Sequence, residues 1–255
     1  PVIGGWLHSW FGWRSVFVFL TLLTSALLYA SWRWLPETLS SEKRQSLHPG
    51  YLARTYRKVL STPSFLAATA AVALNFVGFF IYVLSAPVFL MQHLGVSERE
   101  FLWLFGPAMS GLMLGSWVSG RFAGTLTPMQ CIVRGYVVMA LAALLNLCIS
   151  FGLAPGLPWS VLPLFVYTTG MALAMPSLTL LALDPFVSER GLAASCQTFL
   201  QAGFNGLAAG LIAPLLWGST GTLALGMTGM ASAGAMATWV YFRRSAGNAS
   251  PGQTG

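Results

Sequence analysis

Long stretches without any Asp, Glu, Lys or Arg constrain the fold of this chain more than any other feature. Residues 15–32, 59–97, 101–120, 135–183 and 191–242 are such stretches. A helix needs about 20 apolar residues to cross a bilayer. Charged residues make up 7% of the chain, against roughly 25% in soluble globular proteins, so a surface that faces water on all sides is excluded. The sequence therefore predicts an all-α, polytopic membrane protein.

Turn residues divide the longer stretches into separate helices. Pro and Gly cluster at Gly152–Pro158 and at Trp217–Gly221, where the chain is expected to leave the bilayer. Small residues recur at every fourth position at Gly111, Gly115 and Ser119, a spacing that predicts close helix packing. About seven transmembrane helices are predicted, at residues 14–34, 64–90, 101–121, 130–151, 159–183, 192–216 and 222–242.

Basic residues fall unevenly on the two sets of loops that alternate across the membrane. Eleven belong to the set that includes the 35–62 loop and the 243–255 tail, whereas the other set holds two, Arg14 and Arg99. The positive-inside rule assigns the richer set to the cytoplasm. The net charge of +7 therefore reflects membrane topology, and the expected partner is the lipid bilayer rather than nucleic acid.

The 35–62 stretch is the one long hydrophilic loop of the sequence. Apolar and basic residues alternate near its end with helical spacing, which predicts a short amphipathic helix on the inner leaflet. The residues concerned are Leu52, Arg54, Tyr56, Arg57, Lys58 and Val59. An ordinary linker between two bundles and a lipid-regulatory patch both remain open as its role.

Several short motifs carry a family resemblance. Pro1-Val-Ile-Gly-Gly-Trp6, then Gly12-Trp13-Arg14 and Leu35-Pro36-Glu37-Thr38, resemble the fifth-to-sixth helix region of major facilitator superfamily drug:proton antiporters of the Bcr/CflA (bicyclomycin-resistance) type. Further matching pieces follow in the family's order: Ser85-Ala86-Pro87, Gly120-Arg121 and Gly191-Leu-Ala-Ala-Ser195. The chain does not begin with Met, and it is expected to be a C-terminal fragment of such a transporter.

The resemblance implies an arrangement in the membrane. The seven helices are expected to be the sixth to twelfth of twelve. Residues 1–34 would end the N-terminal bundle, 35–62 would be the cytoplasmic inter-bundle loop, 63–242 the C-terminal six-helix bundle and 243–255 a cytoplasmic tail. The expected location is the bacterial inner membrane, and the full-length protein is expected to be monomeric.

The resemblance also implies a function: multidrug efflux, in which small amphiphilic compounds are exported by proton-coupled alternating access. No enzyme motif is present, and the histidines His8, His48 and His93 lie in loops or at helix ends, so no catalysis, cofactor or metal is expected. None of the six acids lies at membrane depth, so the proton carrier is expected in the missing N-terminal part. A non-transporting membrane fragment or assembly partner, or a facilitator-type transporter for a metabolite, remains an alternative.

Neutral polar and aromatic side chains at membrane depth are the candidates for a substrate site. They share faces on the second and sixth predicted helices and form an aromatic and Met stripe on the fifth, surfaces that suit varied apolar ligands. Interhelical hydrogen bonding and ordinary core packing are the alternatives. The candidate substrate-binding residues are Asn75, Phe79, Tyr82, Tyr167, Met171, Gln197, Gln201 and Asn205.

Overall fold

A computed structural model describes residues 2–36, 48–97, 100–122 and 124–248. The described residues are helical and contain no strand, which confirms the all-α prediction. The helices are α1 (Val2–Phe11), α2 (Trp13–Trp34), α3 (Pro49–Leu60), α4 (Pro63–Leu84), α5 (Leu102–Arg121), α6 (Pro128–Gly152), α7 (Leu162–Leu183), α8 (Arg190–Leu207), α9 (Ala213–Leu215) and α10 (Thr220–Asn248). A π-helical turn, Ala208–Ile212, joins α8 to α9.

All seven predicted spans are helical in the structure. They correspond to α2, α4, α5, α6, α7, α8 with α9, and α10. Within the described residues six helices are long and apolar enough to cross a membrane, and α5 is not among these six. Three ends differ from prediction: α4 stops at Leu84 and is followed by a π turn at Val88–His93, α7 begins at Leu162 rather than at residue 159, and α10 continues to Asn248.

The described residues up to His48 form one unit, and those from Pro49 form a second. In the first unit α1 and α2 pack together, and the Ser15 hydroxyl donates to the Leu7 carbonyl at 2.9 Å. Gly12 adopts a φ of 79° between the two helices, a backbone conformation that glycine reaches at low cost.

In the second unit α7 packs against α4, α5 and α6, while α10 packs against α4 and α6. Glycines permit the closest approaches. A Cβ at Gly135 of α6 would lie 2.6 Å from the Cβ of Ala174 and 2.7 Å from the Gly170 carbonyl, both on α7. Gly111 and Gly115 likewise have no room for a Cβ against α7, which confirms the predicted close packing at these two positions.

The predicted amphipathic helix in the 35–62 loop is present as α3. Its buried side chains are Thr55 and Val59, and the helix packs against α8 and α4. Tyr56, one of the apolar residues of the predicted amphipathic helix, is exposed. The adjacent residue Thr55 lies on the buried face instead. The rest of that loop, residues 37–47, lies outside the described residues. So do Glu98 and Arg99, of which Arg99 is one of the two basic residues counted in the other set of loops.

Candidate functional site

The candidate residues of α4 lie in the core of the second unit. Asn75, Phe79 and Tyr82 are all buried. The Asn146 side-chain amide of α6 donates to the Tyr82 hydroxyl at 2.7 Å, and the Asn75 amide donates to the Tyr136 hydroxyl, also of α6, at 2.8 Å. Their polar atoms therefore join α4 to α6.

Tyr167 of α7 joins the same network. Its hydroxyl donates to the main-chain carbonyl of Asn75 at 2.9 Å, while the Tyr136 and Thr238 hydroxyls lie 2.7 Å apart. The Tyr167 hydroxyl fills the space that a Cβ at Gly78 would need. One network therefore links α4, α6, α7 and α10, and interhelical hydrogen bonds average about 0.6 kcal/mol each in a membrane protein.

The structure thus brings two predicted residues together, Asn75 and Tyr167. Met171 is buried in the same core cluster as Tyr167. The partners Tyr136, Asn146 and Thr238 were not predicted from the sequence. Asn146 is an amide within the charge-free part of α6, and this property could have identified it.

The three candidates on α8 stand apart from this network and have a different environment. Gln197 is 6% exposed, whereas Gln201 and Asn205 are half-buried. The Nε2 atom of Gln197 and the Oδ1 atom of Asn205 are buried without a hydrogen-bond partner among the described residues, as is the Oδ1 atom of Asn75 on α4. A buried polar atom without a partner costs about 1–3 kcal/mol. This face of α8 therefore presents neutral donor and acceptor groups that lack protein partners.

Helix α8 is also the least covered span of the second unit. In the most apolar part of the span Arg190–Leu215, which begins with α8, 11% of the residues are buried, against 61% for α4. The Phe199 ring on the same helix is exposed. The polar face of α8 therefore belongs to a helix whose side chains are mostly accessible in this unit.

Charged pairs lie at the start of α8, where Glu189 is placed between two candidate membrane spans and outside both. The Lys58 ammonium is 3.3 Å from the Glu189 carboxylate, and Arg190 is 2.8 Å from Asp184. The Ser188 hydroxyl, followed by Lys58, holds the pKa of the Glu189 carboxyl below its usual value. Within the described ranges no group of three or more His, Cys, Asp or Glu side chains is placed to hold a metal.

A bundle of long apolar helices with neutral polar groups at membrane depth defines a multi-pass membrane protein. The family model that describes the sequences of the Major Facilitator Superfamily matches residues 1–209 of this chain. The chain belongs to this superfamily, whose members are transporters.

Curated relatives are bacterial resistance proteins and transporters. The chain is similar to a "Chloramphenicol resistance protein" of Pseudomonas aeruginosa, at 28% identity over 55% of this chain and 34% of the relative. It is 25% identical to "Multidrug resistance protein D" of Escherichia coli (strain K12), over 89% of this chain and 56% of the relative. "Multidrug transporter MdfA" of Yersinia pestis bv. Antiqua (strain Angola) is 25% identical over 72% of this chain and 44% of the relative. The chain thus spans between one third and just over half of each of these relatives.

Proposed function

We propose that this chain is part of a proton-coupled multidrug exporter of the Bcr/CflA type in a bacterial inner membrane. Its spans would be the sixth to twelfth helices of a transporter that works by alternating access. The family match and the names of the bacterial relatives support export of small amphiphilic compounds. The distribution of basic residues supports a cytoplasmic 35–62 loop and C-terminus.

The polar face of α8 is the observation that carries the substrate assignment. Gln197 and Asn205 hold buried amide atoms without described partners, and Gln201 lies between them on the same face. A bound compound would supply the missing hydrogen bonds. Because these groups are neutral, selectivity would rest on shape and a few hydrogen bonds, which favours neutral amphiphiles.

The candidate residues on α4 and α7 contact substrate in this proposal only after a movement of the helices. Tyr82 and Tyr167 are closed off inside the bundle and already hydrogen-bonded, so they reach a compound only if helices move apart. Asn75, Phe79 and Met171 are buried in the same way and remain proposed contacts under that condition. Gln201 needs no such movement because its side chain is partly accessible.

Proton coupling is assigned to a group beyond these 255 residues. All six acids of the chain lie outside the apolar middle of its spans, where a carrier with a tuned pKa is ordinarily found. Asp184 and Glu189 are engaged with Arg190 and Lys58 at the start of α8.

The test compares Gln201→Ala with Thr198→Ala in the full-length transporter at matched membrane expression. Thr198 lies on the same helix, is exposed, and its hydroxyl donates to its own helix at Ala194. Loss of one hydrogen bond of about 1 kcal/mol lowers affinity about fivefold. Gln201→Ala is therefore expected to change resistance to some compounds about fivefold and leave others unchanged, while Thr198→Ala matches the parent.

Two results would count against the proposal. If Gln201→Ala and Thr198→Ala both match the parent toward every compound, the α8 face does not contact substrate. If inverted vesicles still accumulate a compound against its gradient after the proton gradient has been collapsed, export is not proton-coupled.

A further inference from the structure

A groove of about 650 Å³ lies between α6 and α10, and none of the proposed substrate-binding residues lines it. Small side chains line part of it, among them Ala140, Ala143 and Ala235. Larger side chains, including Leu144 and Trp239, form other parts of its wall. Ligand sites for small molecules have volumes of about 300–1,000 Å³, so the groove is large enough for a substantial apolar group.

The chemistry of the lining selects hydrocarbon rather than water. The Thr228 hydroxyl donates to Ala224 at 2.8 Å, and the Thr238 hydroxyl donates to Gly234 at 3.0 Å and also meets Tyr136. These hydroxyls are thus engaged with protein atoms, which leaves Ser232 as the one other hydroxyl of the lining, whereas an ordered water needs two to four polar partners. The groove is accordingly suited to an apolar chain.

The walls of the groove show where such a chain would come from. Val137 and Leu144, which line it on α6, are 54% and 59% exposed. Both lie within a helix that is long and apolar enough to span a membrane. Side chains exposed on such a helix are accessible to bilayer hydrocarbon. From Thr228 to Phe242 the groove follows α10 for about 21 Å at 1.5 Å per residue. This is about two thirds of the ~30 Å hydrocarbon core, so the groove is long enough for an acyl chain that fills one leaflet.

A cation lies at the Trp239 end of the groove. The Arg243 guanidinium lies over the Trp239 ring, 4.0 Å from its centroid, and Trp is typical of the membrane interface. Arg243 forms no salt bridge with the described residues. Two described acids, Asp184 and Glu189, are instead paired with other basic residues. The positive charge of Arg243 is therefore available to an anionic group at the membrane surface.

We propose that the groove between α6 and α10 binds one acyl chain of an anionic phospholipid, whose phosphate lies at Arg243. The apolar lining, a length sufficient for an acyl chain and the Arg243 guanidinium at the interfacial end together define this occupant. The site does not depend on the transport activity proposed above. A second copy of the chain or a transported amphiphile would use the same groove without needing the phosphate contact.

Quenching of Trp239 fluorescence by brominated lipids tests the proposal. The full-length protein is reconstituted in phosphatidylcholine vesicles that contain equal fractions of phosphatidylglycerol or phosphatidylcholine brominated on the acyl chain. The chain has 10 Trp residues, so the Trp239 signal is obtained as the difference between the parent and Trp239→Phe. A basic residue near the membrane surface contributes about 1 kcal/mol with anionic lipid, so half-maximal quenching should need about fivefold less brominated phosphatidylglycerol than phosphatidylcholine.

Surface variants separate the headgroup contact from diffuse charge. Arg243→Gln should abolish the preference for phosphatidylglycerol, whereas Arg244→Gln, a neighbouring exposed arginine, should retain it. Ala140→Leu, which fills part of the groove, should reduce quenching of Trp239 by both lipids.

Three outcomes would overturn the proposal. Equal quenching by the two lipids in the parent would show that Arg243 does not bind the phosphate. Equal loss of the lipid preference in the Arg243 and Arg244 variants would show that the preference arises from diffuse electrostatic attraction. Absence of Trp239 quenching together with cross-linking of two copies through α10 would assign the groove to a dimer. Relief of quenching by a transported neutral amphiphile, with no lipid preference, would assign it to cargo.

Discussion

Replacement of Gly135 by Ala is expected to destabilise the second unit by about 2 kcal/mol, because α6 and α7 have no space for the added methyl group. That methyl carbon would lie 2.6 Å from the Ala174 Cβ and 2.7 Å from the Gly170 carbonyl. Both atoms belong to or adjoin the α7 backbone, so neither can turn away as the end of a flexible side chain would. The two helices must separate instead.

The magnitude follows from two opposing terms. Carbon atoms pack best at about 3.5–4.0 Å, so the crossing must open by roughly 1 Å, which forfeits a quarter to a half of the dispersion energy of the contacts there. Overpacking of this kind costs about 1–3 kcal/mol, and the rigid neighbours at Gly135 favour the upper end. The exchange of Gly for Ala within a helix returns about 1 kcal/mol. The net loss is therefore about 2 kcal/mol.

The matched control is Gly229→Ala on α10, where a Cβ would meet no atom within 4 Å. Only the helix-propensity term applies at that position, so Gly229→Ala should stabilise the protein by about 1 kcal/mol. Reversible unfolding in mixed micelles of a mild detergent and dodecyl sulfate, followed by fluorescence, measures both variants. If Gly135→Ala proves as stable as the parent, or if both variants shift in the same direction, the close crossing of α6 and α7 is wrong.

Two further predictions concern the ends of the helices. Because the Glu189 pKa is lowered in the folded protein, its carboxylate contributes stability at neutral pH that is lost as the pH falls through the lowered pKa. The thermal stability of the parent should therefore approach that of Glu189→Gln on acidification, and a difference that grows toward low pH would contradict this sign. A cysteine introduced at Ser97 should react with an impermeant thiol reagent added outside intact cells and one at Ser61 should not; the opposite labelling would reverse the proposed topology.

The positions of the spanning helices were predictable because their signal is local. A charge-free run of about 20 apolar residues is enough to identify a span, and α2 and α7 end within a residue of their predicted ends. The beginning of α7 was less predictable: residues 159–161 form a turn rather than helix, since hydropathy does not distinguish an apolar turn from an apolar helix. The amphipathic spacing of α3 was likewise a local signal.

The partners of polar residues were not predictable in the same way. Asn75 bonds to Tyr136, 61 residues further along the chain, because α4 and α6 both pack around the centre of the unit. Helical spacing places Asn75, Phe79 and Tyr82 on one face but does not say which helix that face meets. Inward polar groups were therefore predictable from the sequence, whereas their partners, substrate or one another, were not.

The central place of α7 has a consequence for biogenesis. Among the described helices of the second unit, α4, α5 and α6 all pack against α7, yet all three precede it in the chain. A membrane protein is synthesised from its N-terminus, so these three helices enter the bilayer before their shared neighbour exists. Their glycine-lined surfaces and buried amides must meanwhile be accommodated by lipid or by the insertion machinery. A ribosome that stalls before Leu162 would therefore leave three inserted helices without their common partner.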